Sequence, residues 1–350
     1  MNRDNFKPLT LQDTDFLKGL ALLLLLCHHL FYIDNGLYDS ISIAGHNVIQ
    51  VIGQWSKVCV AIFIFLSGYG LMYQTIRDGK IESLKRFYWH RYTKLFVNYW
   101  FIWLVFVPIG VFIFGRSFHD SYGAYMPIKV FLDFFGLINA FGWLGYNATW
   151  WFYSCIILLY ASFPFLYWSY KKDVLLTTLL VAVVCFFPTP IFAGGKLYFG
   201  AFYMGMIYCD YCKVTQLPPP HTHIRVSKVS ISILIFILVL ASIDRLASKA
   251  AIIFDSFLVL SMVLVYKNIH IHRWICRVFE FLGKHSMNIF LFHTFIFSHW
   301  FKQEIYASRN PLVIYFTLLL ACIVISITLE KIKKLIRLSV LIKQIDKLII

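Results

Sequence analysis

The chain has 350 residues, of which 60% are hydrophobic and only 14% are charged, and its net charge is +15. Ordinary globular domains carry about 25% charged residues, so this composition excludes a soluble protein and leaves no room for a sizeable domain outside a membrane. The apolar runs are continuous rather than alternating, which excludes a β-barrel. The basic residues lie in short segments between these runs, so the charge indicates membrane topology and not nucleic-acid binding.

Ten apolar runs predict an all-α, multi-pass membrane protein with about ten transmembrane helices. An even number places both termini on one side, and most of the 32 Lys and Arg then fall on that side. The positive-inside rule identifies it as the cytoplasm, so we predict a protein of the inner (cytoplasmic) cell membrane. We expect a transmembrane domain over residues 1–330, followed by a basic amphipathic tail over 331–350 along the inner membrane surface. The predicted spans are 16–33, 48–74, 95–115, 149–169, 173–189, 196–210, 226–243, 250–266, 286–301 and 311–330.

The first span has ionisable side chains at both ends. At about 100° per residue, Asp15, Lys18 and His29 share one face of a helix, and His28 points about 100° away from His29. Lys18 and His29 are about 16 Å apart along the helix axis. Ionisable groups are costly inside a bilayer, so we interpret these residues as parts of a functional site. The alternative is that Lys18 extends to the headgroups and a histidine hydrogen-bonds a neighbouring helix. We expect this span to be retained rather than cleaved as a signal peptide.

The most basic loop runs from Thr75 to Lys94. From Phe87 onward the sequence predicts a helix on which Arg91 and Lys94 share a face. Because Arg forms forked hydrogen bonds with phosphate and Lys supplies a point charge, this pair indicates a site for a cytoplasmic anion. Arg86 belongs to the same basic cluster. Simple anchoring by positive charge is the alternative.

Further along the chain, the aromatic stretch 116–148 is predicted to lie outside, at the membrane interface, and to help form a lid. Trp151 follows it and fits an interfacial aromatic belt, with sugar stacking as the alternative. Asp255 and His293 lie inside later spans, where ionisable groups are rare, and are therefore functional candidates. For His293 the alternative is an interhelical hydrogen bond.

The eight cysteines lie mostly in apolar runs and indicate small core residues rather than a disulfide framework. Cys209 and Cys212 form a CxxC motif that His221 and His223 follow. A single CxxC is a weak signal, and this spacing is not a familiar set of zinc ligands. We therefore expect no metal.

Several stretches resemble those of acyltransferase family 3, whose members move acyl groups onto extracytoplasmic carbohydrates and related acceptors. Residues 15–29 read DFLKGLALLLLLCHH and resemble the opening span of that family, which has an acid, an Arg three residues later and a histidine eleven residues after the Arg. Asp15 and His29 match this pattern, whereas Lys18 replaces the Arg and keeps the charge without the bidentate fork. Further similar stretches, in chain order, are FIFLSGYGLMYQ (63–74), RFYWHRYTKLFVNYW (86–100), TWWFYSCIILLYASFP (149–164) and FLGKHSMNIFLFH (281–293).

In the stretch 86–100, Arg91 matches the family and Lys94 replaces a second Arg. The resemblance implies an acyltransferase that takes an acyl group, most often acetyl, from cytoplasmic acyl-CoA to a hydroxyl of an extracytoplasmic polysaccharide or glycolipid. The transfer would be completed within the membrane unit. Nucleic acid is not an expected partner.

The resemblance also implies roles for individual residues. His29 is expected to act as general base or to carry the acyl group, with His28 as the alternative. Asp15 would orient Lys18. The donor phosphates would be held by Lys18, Arg91, Lys94 and Arg86. Candidates for oxyanion or supporting groups are Ser67, Tyr69, Trp151, Asp255 and His293.

Two other classes of function remain open from the sequence. A transporter of a lipid-linked sugar or small anion would also use buried ions and a basic inner loop. Transporters often show two related halves with interrupted helices, and the sequence shows no such repeat. A structural or assembly subunit of a surface-polysaccharide machine is the third interpretation, and it would tolerate loss of every histidine.

Overall fold

The computed structural model describes residues 8–81, 83–186, 198–214 and 254–347. This part of the chain is almost entirely helical, and its strands are one short antiparallel pair, Ser42–Ile43 with His46–Asn47. The all-α prediction is therefore confirmed. The α-helices of the described residues are α1 (Leu11–Phe31), α2 (Val48–Trp55), α3 (Cys59–Arg77), α4 (Leu84–Phe112), α5 (Phe118–Tyr122), α6 (Met126–Phe134), α7 (Trp151–Lys172), α8 (Val174–Phe186), α9 (Phe199–Val214), α10 (Asp255–Asn268), α11 (Arg273–Thr294), α12 (Lys302–Tyr306), α13 (Pro311–Leu335) and α14 (Leu338–Lys347).

Five segments of the described chain are long and apolar enough to cross a membrane, so the protein is a multi-pass membrane protein. They correspond to the first four predicted spans and the tenth. Helices α8, α9, α10 and α11 overlap four further predicted spans, and the predicted span 226–243 lies outside the described residues. The count of ten and the cytoplasmic termini stay predictions. The five segments are Leu11–Phe31, Val48–Arg77, Leu84–Phe112, Ala148–Lys172 and Pro311–Leu335.

Helix α1 begins earlier than predicted because Thr10 caps it. The Thr10 hydroxyl accepts the backbone N–H of Asp13, and the Asp13 carboxylate accepts the Thr10 N–H, which forms a capping box. Asp13 also binds α10, since Lys267 Nζ lies 2.7 Å and the Tyr266 hydroxyl 2.9 Å from its carboxylate. These contacts fix the start of α1 and therefore the depth of the ionisable residues that follow.

Helices α1 and α11 cross at two glycines. A Cβ atom on Gly19 would collide with the carbonyl oxygen of Phe279, and one on Gly283 would collide with the carbonyl oxygen of Asp15. Only glycine allows the two backbones to come this close. Contacts further along both helices follow the same order, so α1 and α11 run parallel.

Helices α3 and α9 form a second close pair. A Cβ atom on Gly68 would meet the carbonyl oxygen of Phe202, and one on Gly205 would meet that of Phe65. The absence of a side chain at Gly68 therefore allows the close approach of α3 and α9. At Gly70 the same position is open, because this glycine lies beside a cavity rather than against a helix.

The stretch 116–148 folds back on the bundle around the buried carboxylate of Asp133. Asp133 Oδ2 accepts hydrogen bonds from the Tyr122 hydroxyl at 2.6 Å and from the Tyr146 N–H at 2.9 Å. The Tyr99 hydroxyl on α4 donates to the Asp133 carbonyl oxygen at 2.6 Å. Burial raises the pKa of Asp133 to about 6.

The predicted tail does not begin as a separate unit, because its boundary at 331 lies inside α13. The chain turns only after Leu335 and then forms α14, which contacts α4. The indole N–H of Trp89 on α4 donates to the carbonyl oxygen of Ile345 at 3.1 Å. The tail helix is thus bound to the helix that carries Arg91.

Candidate functional site

A cavity of about 490 Å³ lies among α1, α3, α4, α7 and α11. Its lining changes from charged to aromatic side chains along the helices. Charged side chains lie in the first half of α1 and of α4 and near the middle of α11, where Lys18, Arg91 and Lys284 reach the cavity. Phe152 near the start of α7 and Phe290 near the end of α11 line the cavity at its other end. We call this space the inner cavity; its full lining is Asp15, Lys18, Phe63, Leu66, Ser67, Gly70, Leu71, Gln74, Arg91, Leu95, Phe152, Tyr153, Ile156, Tyr160, Gly283, Lys284, Ser286, Met287 and Phe290.

Asp15 and Lys18 form an ion pair at the charged end of the inner cavity. Lys18 Nζ lies 3.2 Å from Asp15 Oδ1, the contact expected for residues three apart on a helix. The Asp15 side chain is 12% exposed, whereas that of Lys18 is 35% exposed. Lys18 therefore still reaches open space while Asp15 holds it in place.

The basic residues of α4 are separated by the helix. Arg91 lines the inner cavity, and the residue that lines it one turn later is Leu95. Lys94 is exposed and lies outside this lining, as does Arg86 in the first turn. The prediction that Arg91 and Lys94 face one site is therefore not met by this cavity. The reason is helical geometry, since a residue four positions on lies about 40° away and one three positions on about 60° away on the other side.

A second, smaller cavity of about 190 Å³ lies at the far end of α1 and contains His29. We call it the outer pocket. Its other polar groups come from the loop after α1 and from the segment after α11. The full lining is His29, Leu30, Tyr32, Ile33, Asn35, Phe297, Ser298, Lys302 and Tyr306.

His29 and His293 face each other where α1 and α11 end, with ring centroids 4.9 Å apart. His293 Nδ1 lies 3.0 Å from the carbonyl oxygens of Ile289 and Phe290. Because a carbonyl oxygen can only accept, Nδ1 carries a proton, and the neutral ring keeps an unprotonated Nε2. Among the residues that the structure describes, neither ring nitrogen of His29 has a hydrogen-bond partner. His29 is therefore free to receive a proton or an acyl group.

His28 is placed differently from its neighbour. Its Nδ1 lies 2.9 Å from the carbonyl oxygen of Gly53, and its ring packs against that of Tyr32 at 5.0 Å. Its ring is directed to α2 and not to the outer pocket. The geometry thus favours His29 over His28 as the reactive histidine.

Ser67 and Tyr69 lie on α3 but play different parts. Ser67 lines the inner cavity, and its hydroxyl donates to the carbonyl oxygen of Phe63 at 2.9 Å. The Tyr69 hydroxyl donates to the Leu9 carbonyl oxygen and accepts the Leu9 N–H, just before α1 begins. The structure does not bring Tyr69 to His29, because the two lie at opposite ends of α1; Tyr69 instead holds the start of that helix.

Trp151 and Asp255 line neither cavity. Trp151 stacks on Tyr198 with ring centroids 5.9 Å apart. Asp255 is buried in the first turn of α10. The structure therefore does not place these two candidates beside the histidine pair.

Within the described ranges, no group of three or more His, Cys, Asp or Glu side chains could hold a metal ion. Cys209 and Cys212 are buried in α9. The two histidines that follow this motif, His221 and His223, lie outside the described residues.

Lys284 is the cavity residue that sequence reasoning missed. It belongs to the stretch FLGKHSMNIFLFH, in which attention fell on the terminal histidine. The sequence does indicate Lys284 as a functional candidate, because a lysine in a largely apolar segment, next to Gly283, needs a partner. In the outer pocket, Asn35 and Lys302 were missed because short loops give no periodic pattern.

A comparison with protein-family models matched the acyltransferase domain of acyltransferase family 3 over residues 11–331, nearly the whole chain. Comparisons with curated proteins and with solved structures gave no significant match. The matched region contains both cavities and the histidine pair. The chain therefore belongs to acyltransferase family 3 and is a multi-pass membrane acyltransferase.

Proposed function

We propose that the protein transfers an acyl group, specifically acetyl, from cytoplasmic acetyl-CoA to a hydroxyl of an extracytoplasmic polysaccharide or glycolipid, across the inner membrane. The observation that supports this proposal most strongly is the placement of two cavities along one pair of parallel helices. The inner cavity is cationic near the crossing of α1 and α11, where Lys18 and Lys284 line it. The outer pocket contains His29 where α1 ends. Donor and acceptor would thus approach the reacting atoms from opposite sides.

The inner cavity suits the donor. Lys18, Arg91 and Lys284 supply three positive charges, which favour the phosphates of CoA, and Arg91 can form a forked contact with one of them. The less polar part of the cavity suits the pantetheine arm, which leads the thioester toward the histidines. Arg86 and Lys94 lie outside this cavity, so their proposed part is limited to the positive field at the inner surface.

The outer pocket suits the acceptor. His29 takes the proton of the acceptor hydroxyl, and the hydroxyl oxygen attacks the thioester carbonyl carbon. The ester C–O bond forms as the C–S bond breaks, and the leaving CoA thiolate receives the proton from His29. In the covalent alternative, a His29 nitrogen bonds to the acyl carbon as the C–S bond breaks and the thiolate leaves. The acceptor oxygen then attacks the same carbon, the C–N bond breaks, and the hydroxyl proton passes to the thiolate.

His293 supports His29 in either case. Its Nδ1 proton is held by backbone carbonyl oxygens, so its unprotonated Nε2, which lies 3.5 Å from the Thr294 hydroxyl, is the nitrogen that can accept a hydrogen bond. His293 can therefore orient the His29 ring and accept a hydrogen bond as His29 gains its proton.

The test uses inside-out membrane vesicles that carry the wild-type chain, His29→Ala or His28→Ala, supplied with acetyl-labelled acetyl-CoA. We expect label in lumenal glycan with wild type and with His28→Ala, and none with His29→Ala. His28→Ala is a matched control because it removes the adjacent imidazole from the same helix turn. Equal transfer by wild type and His29→Ala would contradict the proposed role. Movement of an intact lipid-linked sugar without acyl transfer would support the transporter interpretation instead.

A further inference from the structure

We propose that Phe63, Phe152 and Phe290 form a constriction between the inner cavity and the histidine pair, and that this constriction restricts the transferred acyl group to short chains. We call these three residues the aromatic constriction. The inference rests on the proposed function, since it concerns the acyl group that this site transfers.

The three rings come from three helices and contact one another in a row. Phe152 on α7 lies edge-on to Phe290 on α11, with ring centroids 4.8 Å apart. Phe152 also lies edge-on to Phe63 on α3, at 6.2 Å. All three side chains line the inner cavity. They therefore border the same part of the cavity.

The constriction lies next to the histidine pair, on the side of the inner cavity. The Phe290 ring centroid is 6.4 Å from that of His293, and His293 is 4.9 Å from His29. Phe290 is six residues after Lys284, or about 9 Å further along α11, and three residues before His293. A thioester held by the cationic end of the cavity thus reaches His29 by passing Phe290.

Two of the three rings border open space, whereas Phe290 is buried where it meets them. Phe63 and Phe152 are only half-buried, and the cavity is one of the spaces that they face. Phe292, two residues after Phe290, provides the contrast. It is fully buried and stacks on Phe106 of α4 at 5.1 Å, away from the cavity.

This arrangement limits the size of the acyl group. A thioester that extends past these rings carries its acyl group ahead of it, so an acyl chain longer than the space beside the rings must displace one of them. Acetyl and propionyl groups fit such a space, whereas a hexanoyl chain does not. Discrimination of this kind in an apolar site amounts to about tenfold or more for each methylene that is not accommodated.

The experiment compares labelled acetyl-CoA, butyryl-CoA and hexanoyl-CoA as donors in inside-out vesicles containing the natural acceptor. The proteins are wild type, Phe152→Leu, Phe290→Leu and the control Phe292→Leu. We expect wild type to transfer hexanoyl at least about tenfold more slowly than acetyl. The ratio of the acetyl rate to the hexanoyl rate falls at least about tenfold in Phe152→Leu or Phe290→Leu. In Phe292→Leu this ratio stays as in wild type.

Equal transfer of acetyl and hexanoyl by wild type would overturn the inference and leave the proposed function intact. The inference would also be overturned if Phe152→Leu and Phe290→Leu both transferred acetyl and kept the wild-type ratio of acetyl to hexanoyl rates. If a leucine variant is absent from the membrane, Phe152→Met and Phe290→Met take its place, because methionine fills more of the volume and adapts its shape. Failure of wild type to transfer any of the three acyl groups would overturn the proposed function itself, and the inference with it.

Discussion

His29 and His293 lie opposite each other with ring centroids 4.9 Å apart, although 264 residues separate them in the chain (293 − 29). Each histidine follows the crossing point of its helix by the same distance, since His29 is ten residues after Gly19 and His293 is ten residues after Gly283. Because α1 and α11 run parallel from this crossing, equal distances bring the two rings to the same level. The glycine crossing thus sets the register of the histidine pair.

Replacing Gly19 with alanine tests this relationship. The added methyl group would collide with the carbonyl oxygen of Phe279, and backbone atoms cannot rotate away as a side chain can. Overpacking of this kind costs about 1–3 kcal/mol. We expect Gly19→Ala to lower acyl transfer by at least about tenfold while the protein still inserts. The measurement is the transfer rate per amount of protein in the membrane.

Gly200→Ala is the control for this prediction. A Cβ atom there would meet the hydroxyl oxygen of Ser256 at 2.8 Å, and that side chain can move. We expect transfer within about twofold of wild type. Similar losses in both variants would mean that any added methyl group disturbs the bundle, and that the α1–α11 crossing has no special part.

The histidines are expected to differ in the size of their effects. A general base contributes about 10²–10⁴-fold to a rate, so His29→Ala should reduce the maximal transfer rate by that amount. His293→Ala should reduce it less, by about tenfold, because it acts through His29. The Michaelis constant for acetyl-CoA should change little in either variant, since both residues lie beyond the cationic end of the inner cavity. A larger loss in His293→Ala than in His29→Ala would mean that His293 is the general base and His29 its supporting residue.

The face of α1 that carries Asp15, Lys18 and His29 could be predicted from sequence, because helical periodicity alone determines which residues share a face. The structure adds the Asp15–Lys18 ion pair and places His29 in a pocket. The lid role of the stretch 116–148 stays a prediction, although its fold around Asp133 gives it a fixed attachment to α4.

The partner helix of α1 could not be predicted in the same way. Periodicity does not indicate which of many apolar helices will contact another, and the collision of a Cβ atom with a distant carbonyl oxygen has no signature in the sequence. For this reason the sequence indicates His293 as a candidate but not its position beside His29. Spacing on α4 predicts that Lys94 shares a face with Arg91, whereas in the structure Leu95 lines the cavity one turn after Arg91.

Removing positive charge from the inner cavity should weaken donor binding. A hydrogen bond to a charged group contributes about 1.5–3 kcal/mol, so we expect Arg91→Gln or Lys284→Gln to raise the Michaelis constant for acetyl-CoA at least about tenfold. Lys94→Gln is the matched control on α4 and should change it by less than about twofold. The measurement is the initial rate of transfer against acetyl-CoA concentration. An equal effect of Lys94→Gln would show that the inner surface as a whole, and not the cavity, attracts the donor.

The last prediction concerns Asp133, in the stretch 116–148, and the dependence of stability on pH. Burial raises the pKa of Asp133 to about 6, above its usual value of 3.8, so the folded protein binds more protons than the unfolded chain between these two values. Stability from this group therefore increases as pH falls through 6, by about 1 kcal/mol between pH 7.5 and 5. Asp133→Asn keeps an acceptor for the Tyr122 hydroxyl but cannot titrate. We expect thermal unfolding of the purified wild type to shift upward between pH 7.5 and 5 relative to Asp133→Asn, and the same shift in both proteins would exclude Asp133 as its origin.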